Sequence, residues 1–434
     1  MKWGQDLPGV TTGIDWAGHG ALQRVDPYLV WFDLSGFAGA QPEVGQGLKF
    51  LVEWPDGGER CMTPTLAPDQ VAGLLDLTAA GVICRFELAT PVALGAGLAA
   101  AASLAAGTPP AAVHGARAPS TQPAIVAFID YGCAFAHRKF RRYPDQPGNT
   151  ATRVLALWDQ EGQRRARPPQ PGQPRLAWHC PADFGYGLET LREGPAGDAL
   201  RLDDYIAHFR RADGSVDEER CYALSGHHAA TRPSTHGTHL MDIATGYPDP
   251  SGRPAPRPHA ADIVFVQLPR WVRGRQVGGL LRAHVLDALH YVLSLARPDS
   301  RVLVNLSYGT YAGPHDGSSI LEQAIDRLVE RHAGRLQVVV AAGNAYDKAL
   351  HARAVVEPGR HACFDWHNLP DDPSDSFVEI WLPADATATD VRVVPPHRGD
   401  PGPWVEAGAA AALRRGDGGL VAALVHAGHS GQGR

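Results

Sequence analysis

The chain holds 434 residues at a formal net charge of −6, with 44% hydrophobic and 20% charged residues. That length gives room for two or three domains with a large core, and the mild acidity without a long basic run excludes a nucleic-acid partner. No apolar run is long enough to span a membrane, and the first ten residues lack the apolar stretch of a secretory signal, so a cytoplasmic protein with no membrane partner is expected.

The first 47 residues are poorly periodic, with one aromatic patch at Tyr28-Leu29-Val30-Trp31-Phe32. Residues 48–54 then read as a strand, and Pro55-Asp56-Gly57-Gly58 as a turn. Val71, Leu74, Leu75 and Leu77 give residues 67–80 the apolar side of a helix. Residues 82–88 read as a second strand. The spacing predicts a small N-terminal α+β domain over 1–92. Ala, Gly and Pro dominate 93–121, which reads as a linker.

From 122 the texture changes. Ala124-Ile125-Val126-Ala127-Phe128-Ile129 is a continuous apolar run, the sign of a strand buried on both faces of a parallel sheet. Similar runs follow at 154–158, 263–268, 302–306 and 338–342. Apolar stripes at 279–296 and 318–332 have helical rather than strand spacing. Strands alternating with helices predict an α/β core, a parallel sheet flanked by helices, over 122–363. Residues 160–225 carry Pro, Gly and charge and read as an insertion that loops out. Residues 377–382 and 391–394 read as hairpin strands of a β-rich segment over 364–434. The six cysteines (Cys61, Cys84, Cys133, Cys180, Cys221, Cys363) show no C-x-x-C spacing. Reduced thiols are expected.

The chemistry-bearing residues sit where an α/β fold puts its sites, at the carboxyl ends of strands. Asp130 ends the first apolar run. His236 falls in the first turn of a short helix within 234–246, preceded by Ser234 and Thr235 as caps and closed by Gly246. Asn344 ends another run, in Val340-Ala341-Ala342-Gly343-Asn344. Taken singly, Asp130 reads as a turn or cap residue and His236 as a surface histidine. Together, an acid, an imidazole and a carboxamide suit nucleophilic acyl transfer: the acid orients the histidine, the histidine takes a proton from a hydroxyl, and the amide donates to the oxyanion. A zinc reading of His236 and His239, with His227, His228, His179, Cys180 and Cys221 nearby, lacks the H-E-x-x-H pattern. No metal and no cofactor are expected.

These segments resemble those of the subtilisin-like serine peptidases, the subtilases. Residues 124–132 resemble the family's aspartate segment, with His137 just after it. Thr235-His236-Gly237-Thr238-His239 resembles the histidine segment, Asn305-Leu306-Ser307-Tyr308-Gly309 the strand that pairs with substrate backbone, and Val339-Val340-Ala341-Ala342-Gly343-Asn344 the oxyanion-hole segment. The likeness covers roughly residues 122–346.

It implies a serine endopeptidase acting on peptide or protein through an acyl-enzyme. In it Asp130 would be the orienting acid, His236 the general base and Asn344 the oxyanion donor, with Ser307, Tyr308 and Gly309 lining the peptide groove. It also implies a propeptide-like role for the N-terminal domain, inhibiting the core within the same molecule. Tyr131 stands where the family has a small hydroxyl residue, which would crowd or reshape the site. No Gly-Thr-Ser segment leading into a helix follows Asn344. Ser374, Ser376 and Ser430 are the serines that remain, and none has the right setting. The nucleophile is therefore expected beyond this stretch, in a longer peptidase. The alternative is a serine-less relative that binds peptides without cutting them.

Overall fold

The computed structural model describes residues 2–4, 46–53, 61–62, 65–66, 85–88, 92–93, 119–143, 148–162, 172–194, 196–232, 234–247, 261–269, 281–367, 378–383, 386, 388–395, 401–414 and 420–426. In chain order they form β1 (Lys2–Gly4), β2 (Gln46–Glu53), β3 (Cys61–Met62), β4 (Thr65–Leu66), β5 (Arg85–Leu88), β6 (Val92–Ala93), β7 (Ala124–Asp130), β8 (Val154–Asp159) and β9 (Leu188–Leu191). Then come α1 (Leu202–His208), α2 (Glu218–Ser225), α3 (His236–Thr245), β10 (Ala261–Gln267), α4 (Arg282–Ser294), β11 (Arg301–Leu306), α5 (Ile320–Arg331), β12 (Leu336–Val340), β13 (Ala410–Arg414) and β14 (Leu420–Val425).

The chain divides into two compact units, one of Met1–Val113, Asp316–Arg327 and Ile380–Arg434, the other of His114–His315 and Leu328–Glu379. In the first unit β2 pairs antiparallel with β3, β4, β5 and β6. The helix expected at 67–80 lies outside the described residues. A second sheet there joins β1 to β13 and β13 to β14, all antiparallel. The hairpin strands expected at 377–382 and 391–394 are not formed among the described residues: 378–383 carry no strand, and Val391 makes one isolated bridge to Val405. The strands are instead the alanine-rich β13 and the apolar β14, whose small side chains weaken the periodic signal.

The second unit is α/β. Its sheet runs β12-β11-β7-β10-β8-β9, parallel throughout except for β9, which pairs antiparallel with β8. Leu157, Phe265 and Phe128 stand in register across β8, β10 and β7, so they share a face. They pack with Met241 of α3 and with Tyr205 and Ile206 of α1 in one buried core. Trp158, one residue on from Leu157, faces the other way, and Tyr291 of α4 lies over it with ring centroids 4.9 Å apart. Helices thus cover both faces of the central strands, each fully buried Phe or Leu contributing about 1.5–3 kcal/mol.

Two expectations change here. The insertion expected at 160–225 does not loop out over its described residues: β9 extends the sheet, and Leu176, Leu202, Phe209, Val216, Cys221 and Tyr222 join the same core as Phe135 and Phe140. Nor are β11 and β12 buried on both faces. Leu303, Val339 and Val340 are exposed, because β12 ends the sheet and no described helix covers that flank. The cysteines described with their side chains, Cys133, Cys180, Cys221 and Cys363, are free thiols. No helix among the described residues is long and apolar enough to cross a membrane.

Candidate functional site

Asp130 is the last residue of β7, held there by a strand apolar on both faces, and only 1% of its side chain is exposed. His236 is the first residue of α3, with its ring largely open to solvent. The two meet: His236 Nδ1 lies 2.8 Å from Asp130 Oδ1 and 2.9 Å from Oδ2. Asp130 Oδ1 also accepts the backbone N–H of Tyr131 at 2.6 Å. An ionised carboxylate can only accept, so Nδ1 carries the proton and Nε2 presents its lone pair outward. Burial pushes the Asp130 carboxyl above its ordinary value, and the bonds from His236 and Tyr131 pull part of the way back.

The pair is fixed by a stitched frame. The Tyr131 carbonyl accepts the N–H of Gly237 at 2.8 Å. Thr238 Oγ1 donates to the Gly132 carbonyl at 3.0 Å and accepts the Ala134 N–H at 3.0 Å, while Thr235 Oγ1 donates to it at 2.7 Å. Thr235 therefore occupies the N-cap position without capping through its side chain. Gly132 sits at φ +84°, and a Cβ there would fall 2.4 Å from Thr235 Cβ. A Cβ on Gly237 would fall 2.6 Å from Phe265 Cζ and 2.9 Å from the Gly132 carbonyl. Both glycines are needed for the loop after β7 to touch the start of α3.

Behind this frame, Gly132 N–H donates to Gln267 Oε1 at 2.7 Å, and Cys133 N–H to His227 Nε2 at 3.3 Å. The other nitrogen of fully buried His227 faces Asp159 Oδ2 at 3.3 Å. His227 is thus a structural histidine with both nitrogens engaged. Gln267 and Asp159 carried no sequence signal, because their partners lie far away in the chain, and His227 stood out only as a candidate metal ligand. Thr238 was in plain view inside Thr235-His236-Gly237-Thr238-His239.

The remaining predicted residues are placed unevenly. Leu306 is in register with Ile129 on one side and Val340 on the other, so Asp130, Ser307 and the segment leading to Asn344 leave the sheet at the same end. Ser307 Oγ accepts from Asn305 Nδ2 at 2.8 Å, and Gly309 is exposed. Tyr308 differs from expectation: its hydroxyl is buried rather than offered to a groove, and it has no hydrogen-bond partner among the described residues. Burial pushes that phenol up, with Tyr131 adding to the effect. The Tyr131 hydroxyl donates to the Pro269 carbonyl at 3.1 Å. His137 caps a single 3-10 turn by accepting the Lys139 N–H. His239 is exposed. Among the described residues no group of three or more His, Cys, Asp or Glu is placed to hold a metal ion.

No protein-family model matches the chain, and no curated protein matches it. Among solved structures, it is similar to the Clostridium perfringens CspB protease, at 19% identity and a TM-score of 0.35. The alignment covers 53% of this chain and 37% of that one, so the chain spans little more than a third of that protein's length.

Proposed function

We propose that the Asp130–His236 pair is the acid–base half of a subtilisin-like serine endopeptidase whose nucleophilic serine lies outside these 434 residues. The observation that carries this reading is the double approach of His236 Nδ1 to a buried carboxylate, at 2.8 and 2.9 Å. It leaves Nε2 free beside solvent. A structural histidine has no such need: His227, with both nitrogens committed and no exposure, is the contrast within the same fold.

In the proposed reaction, Nε2 of His236 takes the proton of a serine hydroxyl as its oxygen adds to the carbonyl carbon of a peptide bond. The Asp130 carboxylate stabilises the imidazolium that forms. The Asn344 carboxamide donates to the developing oxyanion, and Ser307–Gly309 lies against the substrate backbone. The tetrahedral intermediate collapses, the amine leaves with the proton from Nε2, and a water deprotonated by the same nitrogen releases the acyl group. Substrates are peptides or proteins. The N-terminal segment, which precedes the dyad in sequence, is proposed as an inhibitory module of the same molecule.

The protein expressed from its whole gene decides the matter. Cleavage of an unfolded protein such as reduced casein is expected. A whole-gene protein that binds peptides and never cleaves them would support the serine-less alternative and sink the peptidase reading.

A further inference from the structure

The chain leaves β12 through Ala341-Ala342-Gly343-Asn344, an exposed stretch at the edge of the sheet. Only Ala341 is tied to the neighbouring strand, its N–H donating to the Leu306 carbonyl at 3.3 Å. Nothing in the ladder itself fixes where Asn344 points. One side chain does: the Tyr311 hydroxyl accepts the Asn344 backbone N–H at 2.8 Å. Gly343 sits at φ +90°, and a Cβ there would fall 2.8 Å from the Tyr311 hydroxyl oxygen and 2.9 Å from the ring edge. The turn is therefore built around the tyrosine, and only glycine lets the phenol come this close.

Tyr311 in turn belongs to the loop that follows Ser307–Gly309. Bonds to its backbone brace that loop just after the tyrosine. Ala312 N–H donates to Thr310 Oγ1 at 3.1 Å, and Gly313 N–H donates to a Glu379 carboxylate oxygen at 2.7 Å. The Tyr311 carbonyl also faces His315 Nε2 at 2.9 Å. The hydroxyl of this half-exposed tyrosine is thus carried by one segment of the proposed groove and used by the other.

We infer that Tyr311 is a positioning residue: through its hydroxyl it sets the direction of Asn344 and couples the substrate-pairing segment to the oxyanion donor. The inference rests on the peptidase reading above. It follows from the sensitivity of an oxyanion hole to geometry, where a donor displaced by a fraction of an ångström loses most of its effect.

Two experiments test it. Asn149, Asn305, Asn344 and Asn368 are the asparagines of the chain, so nitrogen-15 asparagine labelling yields few backbone amide signals. In this chain, Tyr311→Phe is expected to move the Asn344 amide proton upfield and speed its exchange. The Asn305 amide, inside β11, stays where it was and reports an intact fold. An Asn344 signal that does not move overturns the inference. In the whole-gene protein, Tyr311→Phe is expected to lower kcat about tenfold at unchanged KM, while Asn344→Gly lowers it about 10²–10³-fold. In the Asn344→Gly background Tyr311→Phe costs nothing further, because its effect passes through Asn344. A further loss in that background, or a change confined to KM, contradicts the positioning role. A whole-gene protein that hydrolyses no peptide before any substitution removes the peptidase reading and the catalytic part of this inference with it, whatever the amide shows.

Discussion

Replacing Asp130 with Asn is expected to lower kcat of the whole-gene protein about 10⁴-fold without lowering its unfolding temperature at neutral pH. The loss comes from a tautomer, not from a lost contact. Asp130 Oδ1 accepts from Tyr131 N–H at 2.6 Å, and an asparagine oxygen takes that place readily. Its amide NH₂ is then turned to His236 and donates to Nδ1, so the imidazole proton moves to Nε2. A protonated Nε2 cannot accept from a hydroxyl.

The stability half of this result follows from the sign of the shift. The folded Asp130 carboxyl titrates above its ordinary value of 3.8, with burial as the main cause. Between those two values the folded state holds the extra proton, so stability falls as pH rises through that window, and the ionised form costs stability above it. A neutral asparagine side chain carries no such cost. The variant is expected to melt no lower than the parent at pH 7, with the difference between them shrinking as pH falls toward 4. Full activity in Asp130→Asn would remove the orienting role. A variant melting well below the parent at pH 7 would show that the buried charge stabilises the fold instead.

The second large effect is structural. Arg192, just past β9, forms two bonds to Asp262 of β10, at 2.7 and 3.1 Å, with 2% and 1% of the two side chains exposed. Asp262 also accepts from Ser120 Oγ at 2.8 Å, and Arg142 Nη2 approaches it at 3.6 Å. The pair ties the far edge of the sheet to its centre from the side opposite the dyad's end of β10. Removing one member strands the other in the interior. Arg192→Leu is therefore expected to cost about 3–5 kcal/mol, read as a lower denaturant midpoint at unchanged slope. Replacing both, Arg192→Leu with Asp262→Leu, is expected to cost less than either change alone, because a buried ion pair barely repays its own desolvation. A single-variant loss below about 1 kcal/mol would mean that water reaches the pair, the usual value for exposed bridges.

The parts of this molecule legible in its sequence are those specified by local pattern. The apolar runs at 124–129 and 338–342 became β7 and β12: β7 is apolar because it is buried on both faces, whereas β12 is an edge strand whose Val339 and Val340 are exposed. The existence of α3 was legible from the polar Thr235 before it and Gly246 after it, although Thr235 makes no side-chain cap bond. What local pattern cannot carry is partnership. Residues 160–225 looked like a surface excursion because Pro and Gly interrupt them, yet Tyr205 and Tyr222 pack on Phe135, and Phe209 packs on Tyr205. The same holds at the site. The Asp130–His236 pair was readable from motif order, whereas the Gln267, His227 and Tyr311 bonds to Gly132, Cys133 and Asn344 join segments that share no spacing. The uncovered flank of β11 and β12 was hidden for a different reason: burial depends on what lies beside a strand, and Leu303 and Val339 are apolar whether covered or not.

The central claim is that His236 serves a hydroxyl carried outside residues 1–434. The direct test is a fluorophosphonate probe, which bonds covalently to a serine oxygen activated by a neighbouring base, followed by peptide mass spectrometry on the whole-gene protein. One modified serine, encoded downstream of Arg434, is expected, and no modification once His236 is replaced by Ala. A probe adduct on a serine within residues 1–434, or none anywhere in the whole-gene protein, would contradict the claim.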